Sequence, residues 1–167
     1  PYTTLFRSHV NVTDDGYGRL NAAVTYDNTP DVPVFRNTYQ PKDVTVSLTA
    51  RKTFDNADAS HAKLTDFQFQ LFDNERAVGV PVQTVNAAED GTIRFQPLTF
   101  TAQQLNGART RTFTYTVREI HQSAGGVNYD PHMGLWQITV TDDLTGRLKA
   151  RTRTDAAYPT TFTNTYQ

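Results

Sequence analysis

Apolar and polar residues alternate along much of the chain from residue 44 onward. Between 44 and 54, the positions separating the apolar ones carry threonine, serine or arginine. The apolar positions of this segment are Val44, Val46, Leu48, Ala50 and Phe54. Successive side chains of a strand point to opposite faces of a sheet, so the pattern predicts a strand with one buried face.

Five further segments show the same alternation. Their apolar positions are Phe67, Phe69 and Leu71; Ile93 and Phe95; Phe113, Tyr115 and Val117; Trp136, Ile138 and Val140; and Phe162 and Tyr166. Turn-forming residues separate the runs, and the turn at 142–146 leads into another predicted strand over 147–154. A single helical turn is expected only at 101–106. Short alternating runs between turns indicate an all-β sandwich or barrel.

Three of these strands place a polar residue in the apolar phase. The residues are Lys52, Glu119 and Asn164, which supply an amine, a carboxyl group and a primary amide. One explanation is structural, because strand ends often carry charge and a bulge shifts the phase of a strand. A second is a buried Lys–Glu pair with a hydrogen-bonded asparagine, a network that is often costly.

The third explanation is chemical. Burial disfavours charge, so a lysine in the core loses its proton and a carboxyl group keeps one. A neutral amine is a nucleophile, and a protonated carboxyl group polarises an amide and transfers protons. Held at high effective concentration, Lys52 would attack the side-chain amide of Asn164 with Glu119 as the acid–base partner. Ammonia would leave, and a Lys–Asn isopeptide bond would remain.

The chain also repeats parts of its own sequence. FRNTYQ at 35–40 returns as FTNTYQ at 162–167, and VTDDGYGRL at 12–20 returns as VTDDLTGRL at 140–148. Asn37 and Asn164 stand 127 positions apart (164 − 37), a period that suggests tandem domains instead of a short solenoid repeat. We expect 9–40 to be the C-terminal strands of a truncated repeat and 41–167 to be a complete one. Residues 1–8 match nothing in the second copy and are left unassigned, as either part of the preceding domain or a non-native segment.

Five segments of the second copy resemble successive motifs of the isopeptide-containing pilin domain of Gram-positive bacteria. They are LTARKTF (48–54), YTVRE (115–119), VNYD (127–130), ITVTDDLTGRL (138–148) and FTNTY (162–166). The resemblance implies an Ig-like β-sandwich of the collagen-adhesin B type. It also implies that Lys52 and Asn164 form the crosslink and that Glu119 promotes it. Asn37 resembles the asparagine of the truncated repeat, and no bond is expected there because its lysine and glutamate would lie upstream.

The resemblance further implies a structural stalk repeat of a pilus or adhesin, displayed outside the cell at the cell wall. Its expected partners are neighbouring repeats of the same polypeptide and, in addition, a host surface ligand. Crosslinking would be a single-turnover event, so the domain is not expected to be an enzyme and requires no cofactor. The alternative is an adhesive module that binds a host protein or glycan through loops such as 55–66, 73–91 or 121–134.

The amino-acid composition does not distinguish the stalk repeat from the adhesive module, but it argues against several other kinds of protein. The net charge of −1 gives no reason to expect nucleic acid as a partner, and no apolar run is long enough to cross a membrane. The chain has no cysteine, which excludes disulfides and thiolate metal sites. The acidic pairs Asp14-Asp15 and Asp142-Asp143 precede glycines and are interpreted as hairpin turns, and His61, His121 and His132 lack the spacing of metal ligands, so no metal site is expected.

Overall fold

The structure is a computed structural model that describes residues 7–27, 32, 34–122 and 125–167. The chain divides into two compact units, Pro1–Tyr39 and Gln40–Gln167. Most of the unassigned segment 1–8 lies outside the described residues, and so do 123 and 124 of the loop 121–134.

The first unit contains a two-stranded antiparallel hairpin. Strand β1 (Ser8–Asp14) pairs with β2 (Leu20–Tyr26) in the register that places Asp14 opposite Leu20. In the turn, the backbone N–H of Gly16 donates to Asp14 Oδ1 at 2.8 Å, as expected for an aspartate that closes a turn.

The second unit is almost entirely β. Its described strands are β3 (Val44–Val46), β4 (Thr49–Asp55), β5 (Gln68–Phe72), β6 (Gln83–Asn86), β7 (Thr92–Arg94), β8 (Leu98–Phe100), β9 (Thr110–Glu119), β10 (Val127–Asn128), β11 (Met133–Asp142), β12 (Leu148–Thr154) and β13 (Thr161–Tyr166). Three short 3₁₀ turns lie at Ala57–Ala59, Leu64–Asp66 and Ala102–Leu105. The last of these is the helical turn expected at 101–106.

Two sheets form an Ig-like β-sandwich. One has the strand order β10-β13-β4-β7, the other has the order β12-β11-β9-β5-β6, and β3 pairs separately with β8. The last strand, β13, runs parallel to β4, whereas the other strand pairs are antiparallel. The fold class predicted from the alternation and the resemblance is therefore confirmed.

The core lies between the two sheets and is rich in aromatic rings. Phe69 of β5 meets Phe162 of β13 with ring centroids 5.2 Å apart, and Phe95 and Trp136 form a T-shaped pair with centroids 6.2 Å apart. These residues are buried, as are Ile138 and Val140. Aromatic pairs contribute about 0.5–1.5 kcal/mol beyond the area they bury, so the contacts help to fix the spacing of the sheets.

The segment 44–54 differs from the single strand predicted for it. Half-buried or buried side chains alternate with exposed ones from Val44 to Lys52, but β3 ends at Val46 and β4 begins at Thr49. The break occurs because the two halves have different neighbours: β3 pairs with β8, and β4 pairs with β13 and β7. The short strands β6, β8 and β10 were not predicted, since two to four residues carry too little alternation to be recognised.

The two copies of the VTDD motif form hairpins of the same register. Asp142 of β11 lies opposite Leu148 of β12, as Asp14 lies opposite Leu20 in the first unit. Both turns contain a residue with positive φ two positions after this aspartate, Gly16 in one and Leu144 in the other. The interpretation of both acidic pairs as hairpin turns is confirmed by these hydrogen-bonded turns.

Candidate functional site

The structure brings Lys52, Glu119 and Asn164 together inside the second unit. They come from β4, β9 and β13, and 1%, 5% and 0% of their respective surfaces are exposed. The alternation of each strand directs the side chain inward, and the sandwich closes β9 over the neighbouring strands β4 and β13. The prediction that these three polar groups face the core is confirmed.

Glu119 joins the other two residues through its carboxyl group. Oε2 lies 2.9 Å from Lys52 Nζ, and Oε1 accepts a 2.8 Å hydrogen bond from Asn164 Nδ2. Each carboxyl oxygen therefore contacts one of the two nitrogens. The sequence led us to expect that the carboxyl group polarises the amide carbonyl of Asn164. In the structure Glu119 instead contacts the amide nitrogen, and the carbonyl oxygen faces another partner.

The surroundings of the cluster favour its uncharged forms. The Phe67 ring, whose centroid lies 4.9 Å from Lys52 Nζ, by itself favours the charged amine, and burial acts in the opposite direction. Burial lowers the pKa of Lys52 and raises the pKa of Glu119, although the hydrogen bond between the two groups opposes both shifts. A neutral amine beside a protonated carboxyl group is the combination that amide formation requires.

The carbonyl oxygen of Asn164 has a different partner. The backbone N–H of Asp130 donates to Asn164 Oδ1 at 2.9 Å. Because a backbone N–H can only donate, the atom facing it must be the oxygen, so the Asn164 amide has one orientation that satisfies both neighbours. Sequence analysis did not assign a role to Asp130, although it lies in the VNYD segment that contributed to the resemblance.

The side chain of Asp130 fastens this segment to β13. Its Oδ2 accepts the backbone N–H of Thr163 at 2.8 Å, and Oδ1 accepts the backbone N–H of His132 at 3.2 Å and also contacts the His132 ring. His132 Nε2 lies 2.9 Å from the carbonyl oxygen of Pro159, and its ring stacks on Phe162 with centroids 4.5 Å apart. Burial raises the pKa of Asp130, but the hydrogen bonds from Thr163 and His132 outweigh it and lower the pKa.

Comparison with known proteins then identifies the family. The sequence model of a family described as FctA, a Spy0128-like isopeptide containing domain, matches residues 2–40 and 48–167. The chain belongs to this family. No match was found among curated proteins.

Membership of the Spy0128-like family indicates a structural role of pilin type with isopeptide bonds. Pilin domains polymerise with neighbouring subunits, are displayed at the cell surface and are generally not enzymes. In the part of the chain that the structure describes, no helix has the length and apolarity needed to cross a membrane.

The two asparagines of the repeated ending have different environments in this Spy0128-like chain. Asn164 is fully buried in β13, whereas Asn37 is exposed and lies outside the strands of the described residues. The preceding phenylalanines differ likewise, since 72% of Phe35 is exposed and none of Phe162. Only the second copy of the ending therefore carries a buried asparagine.

The aromatic residues near the proposed adhesive loops belong mainly to the core. Phe72 and Trp136 are buried, and Tyr129 is half-buried with its ring 5.9 Å from Phe67. Two histidines near these loops also have local partners: His121 stacks on Tyr129, and His132 contacts Asp130. These residues stabilise the sandwich and offer no aromatic cluster for a ligand.

Proposed function

We propose that this chain is a structural repeat of the shaft or stalk of a bacterial surface pilus or adhesin, and that it crosslinks itself between Lys52 and Asn164. The observation that carries the proposal is the buried carboxyl group of Glu119, whose two oxygens contact Lys52 Nζ and Asn164 Nδ2. These two contacts bring the amine and the amide that would react to one buried carboxyl group.

The reaction follows from these two contacts. Lys52 Nζ attacks Cγ of Asn164, the protonated Glu119 gives its proton to Asn164 Nδ2, and Glu119 then takes a proton from the former amine through Oε2. The Cγ–Nδ2 bond breaks, ammonia leaves, and the new Nζ–Cγ bond is an amide. Glu119 returns to its initial protonation state, so one molecule of ammonia is released for each bond formed.

Burial provides the reactivity. It lowers the pKa of Lys52, which leaves the nitrogen lone pair free, and it raises the pKa of Glu119, which keeps a proton available for the leaving group. The rigid strands hold the amine and the amide together, and such orientation is equivalent to an effective concentration of about 10⁵ M or more. No external enzyme or cofactor is required by this chemistry.

The bond would join β4, near the start of the second unit, to its last strand, β13. Lys52 and Asn164 are 112 positions apart (164 − 52), so the crosslink would close a long loop. By the chain-entropy relation used for disulfides, a loop of this length stabilises the fold by about 5 kcal/mol. An amide is not reduced by thiols, and this property suits a cysteine-free chain exposed outside the cell.

We further propose that 9–40 and 41–167 are parts of two repeats of one kind. In support, the family model matches the two segments separately, and their hairpins share one register. Val12 and Leu20 are 54% and 72% exposed, whereas their counterparts Val140 and Leu148 are 0% and 3% exposed. The apolar face of the first hairpin therefore has the character of a core face that the remaining strands of its own repeat would cover.

Intact mass of the purified 167-residue chain tests the crosslink. The wild type is expected to be lighter than its calculated mass by one ammonia, and Lys52→Ala, Glu119→Ala and Asn164→Ala are expected at their full calculated masses. Asn37→Ala is the matched control, since it removes the corresponding asparagine and should still lose one ammonia. Peptide mapping of the wild type should recover Lys52 and Asn164 in one branched peptide.

A wild type at its full calculated mass would contradict the crosslink. The three residues would then form only a buried polar network, and the adhesive module would become the better proposal. Loss of ammonia that persists in Asn164→Ala would place the bond at another asparagine.

A further inference from the structure

The carbonyl oxygen of Asn164 has no contact with the group that would transfer protons. Both oxygens of Glu119 are engaged by nitrogens, Lys52 Nζ on one and Asn164 Nδ2 on the other. When an amine attacks Cγ, however, a pair of electrons moves onto Oδ1 and creates an oxyanion. In a buried site this charge requires its own donor, because an unsatisfied anion in a low-dielectric environment is strongly disfavoured.

The backbone N–H of Asp130 occupies the position of that donor. It lies 2.9 Å from Asn164 Oδ1, the oxygen that would become the oxyanion; a functioning donor lies about 2.7–3.1 Å from the position of the oxyanion. We propose that the Asp130 N–H stabilises the oxyanion formed during crosslinking and that the side chains of Asp130 and His132 position it. This inference rests on the proposed crosslink and assigns the stabilisation of negative charge to a residue other than Glu119.

The division of labour is consistent with the balance of the reaction. Glu119 gives its proton to Asn164 Nδ2 and recovers one from Lys52 Nζ, and the Asp130 N–H transfers no proton. It donates to Oδ1 while the oxygen is a carbonyl, strengthens the bond when the oxygen becomes negative, and continues to donate to the carbonyl oxygen of the product. A fixed donor of this kind favours the intermediate over the reactant because charge accumulates only after attack.

The contacts of the Asp130 side chain keep the donor aimed at Asn164. Oδ2 accepts the N–H of Thr163, the residue directly before Asn164 in β13. Oδ1 contacts His132, which in turn contacts the Pro159 carbonyl oxygen and stacks on Phe162. The donor and the amide it serves are thus attached to the same strand and move together. Pro131 also restricts the backbone of Asp130 to extended conformations.

A backbone amide is tested by replacing it with an ester. Cell-free synthesis of the 167-residue chain with malic acid at position 130 retains the carboxyl side chain and replaces the N–H by an ester oxygen, which removes the donor and also weakens the preceding carbonyl group as an acceptor. The matched control carries the α-hydroxy analogue of threonine at Thr145, whose N–H donates to Asp143 in an exposed turn at 2.8 Å. Samples are quenched in denaturant over time, and the loss of ammonia is followed by mass, with protease resistance as the measure of folding.

The ester at position 130 is expected to fold and to crosslink about 100- to 1,000-fold more slowly than the wild type, the usual effect of removing one oxyanion donor. The ester at position 145 is expected to crosslink at the wild-type rate. A folded position-130 ester that crosslinks at the rate of the control would overturn the inference. If the wild type crosslinks, that result contradicts only the role of Asp130; a wild type that loses no ammonia contradicts the crosslink itself.

Two further variants keep the inference testable if the position-130 ester does not fold. Asp130→Ala retains the N–H but removes the contacts to Thr163 and His132, whereas Asp130→Asn keeps one side-chain acceptor. Crosslinking is expected to slow in the order wild type, Asp130→Asn, Asp130→Ala, with at least a tenfold difference between the first and the last. Equal rates for all three would show that the side chain does not position the donor and would overturn the inference.

Discussion

Lys52 and Asn164 lie on the same face of two adjacent parallel strands, offset by two residues. The pairing of β4 with β13 places Lys52 opposite Phe162, and Phe54 opposite Asn164. Because the strands are parallel, pulling the N-terminal side of β4 against the C-terminal end of β13 loads them in shear. A bond between these two side chains would carry that load directly, and the segment between them would be bypassed.

A mechanical measurement follows from this geometry. In single-molecule stretching from the chain ends, the wild type is expected not to release the segment between the crosslinked residues, which are 112 positions apart (164 − 52). Lys52→Ala should release this segment as one additional extension of about 380 Å, at roughly 3.4 Å per residue. Asn37→Ala is the control and should extend like the wild type. An additional extension of this size in the wild type would contradict the proposed crosslink.

The backbone beside Lys52 offers a second prediction. Gly91 has a φ of +78°, and a Cβ there would come 2.2 Å from the carbonyl oxygen of Lys52. Gly91 also accepts the backbone N–H of Lys52 through its own carbonyl group at 2.7 Å. Gly91→Ala is therefore expected to displace Lys52 and to slow crosslinking, as measured by the time course of ammonia loss.

Gly79→Ala provides the matched control for this substitution. Gly79 also has a positive φ, +86°, but a Cβ at that position meets no atom within 4 Å. The two variants share the strain of an alanine in the left-handed region and differ in the clash with Lys52. Equal crosslinking rates for the two variants would contradict the expectation that the clash at Gly91 slows crosslinking by displacing Lys52.

Loss of the crosslink should reduce stability by a predictable amount. Lys52→Met preserves most of the buried volume but cannot form the bond, so its free energy of unfolding is expected to be lower by about 5 kcal/mol. Lys42→Met makes the same change at an exposed position and is expected to stay within about 0.5 kcal/mol of the wild type. Guanidinium unfolding curves measure both differences. A wild type no more stable than Lys52→Met would argue against a closed loop.

The lowered pKa of Asp130 leads us to expect that stability decreases at acidic pH. Its pKa is below the ordinary value of 3.8 because the hydrogen bonds from Thr163 and His132 outweigh the effect of burial. The contribution of ionised Asp130 to the free energy of unfolding is therefore fully present above pH ~3.8, and it is lost as the pH falls through the lower pKa of the folded state. The melting temperatures of the wild type and Asp130→Asn should differ above pH ~4 and converge below it. A constant difference down to pH ~2 would indicate that ionisation of Asp130 is not involved.

The alternation of side chains allowed much of the site to be predicted before any fold was known. Lys52 stands in phase with Leu48 and Ala50, Glu119 in phase with Val117, and Asn164 in phase with Phe162, and all these residues are buried. Phase is a local property, since every second residue of a strand faces the same side whichever strand it pairs with. The break between β3 and β4 was not predicted because it depends on their different partners.

The sequence by itself thus determined which three polar groups enter the core, and its repeated motifs indicated two segments of one kind. Only the tertiary structure decided that β13 lies parallel to β4, with Glu119 closing over both strands. It alone oriented the amide of Asn164, with its nitrogen on Glu119 and its oxygen on Asp130. The physical reason is that a backbone N–H is present at every residue other than proline, so its role arises from position in space and leaves no mark in the sequence.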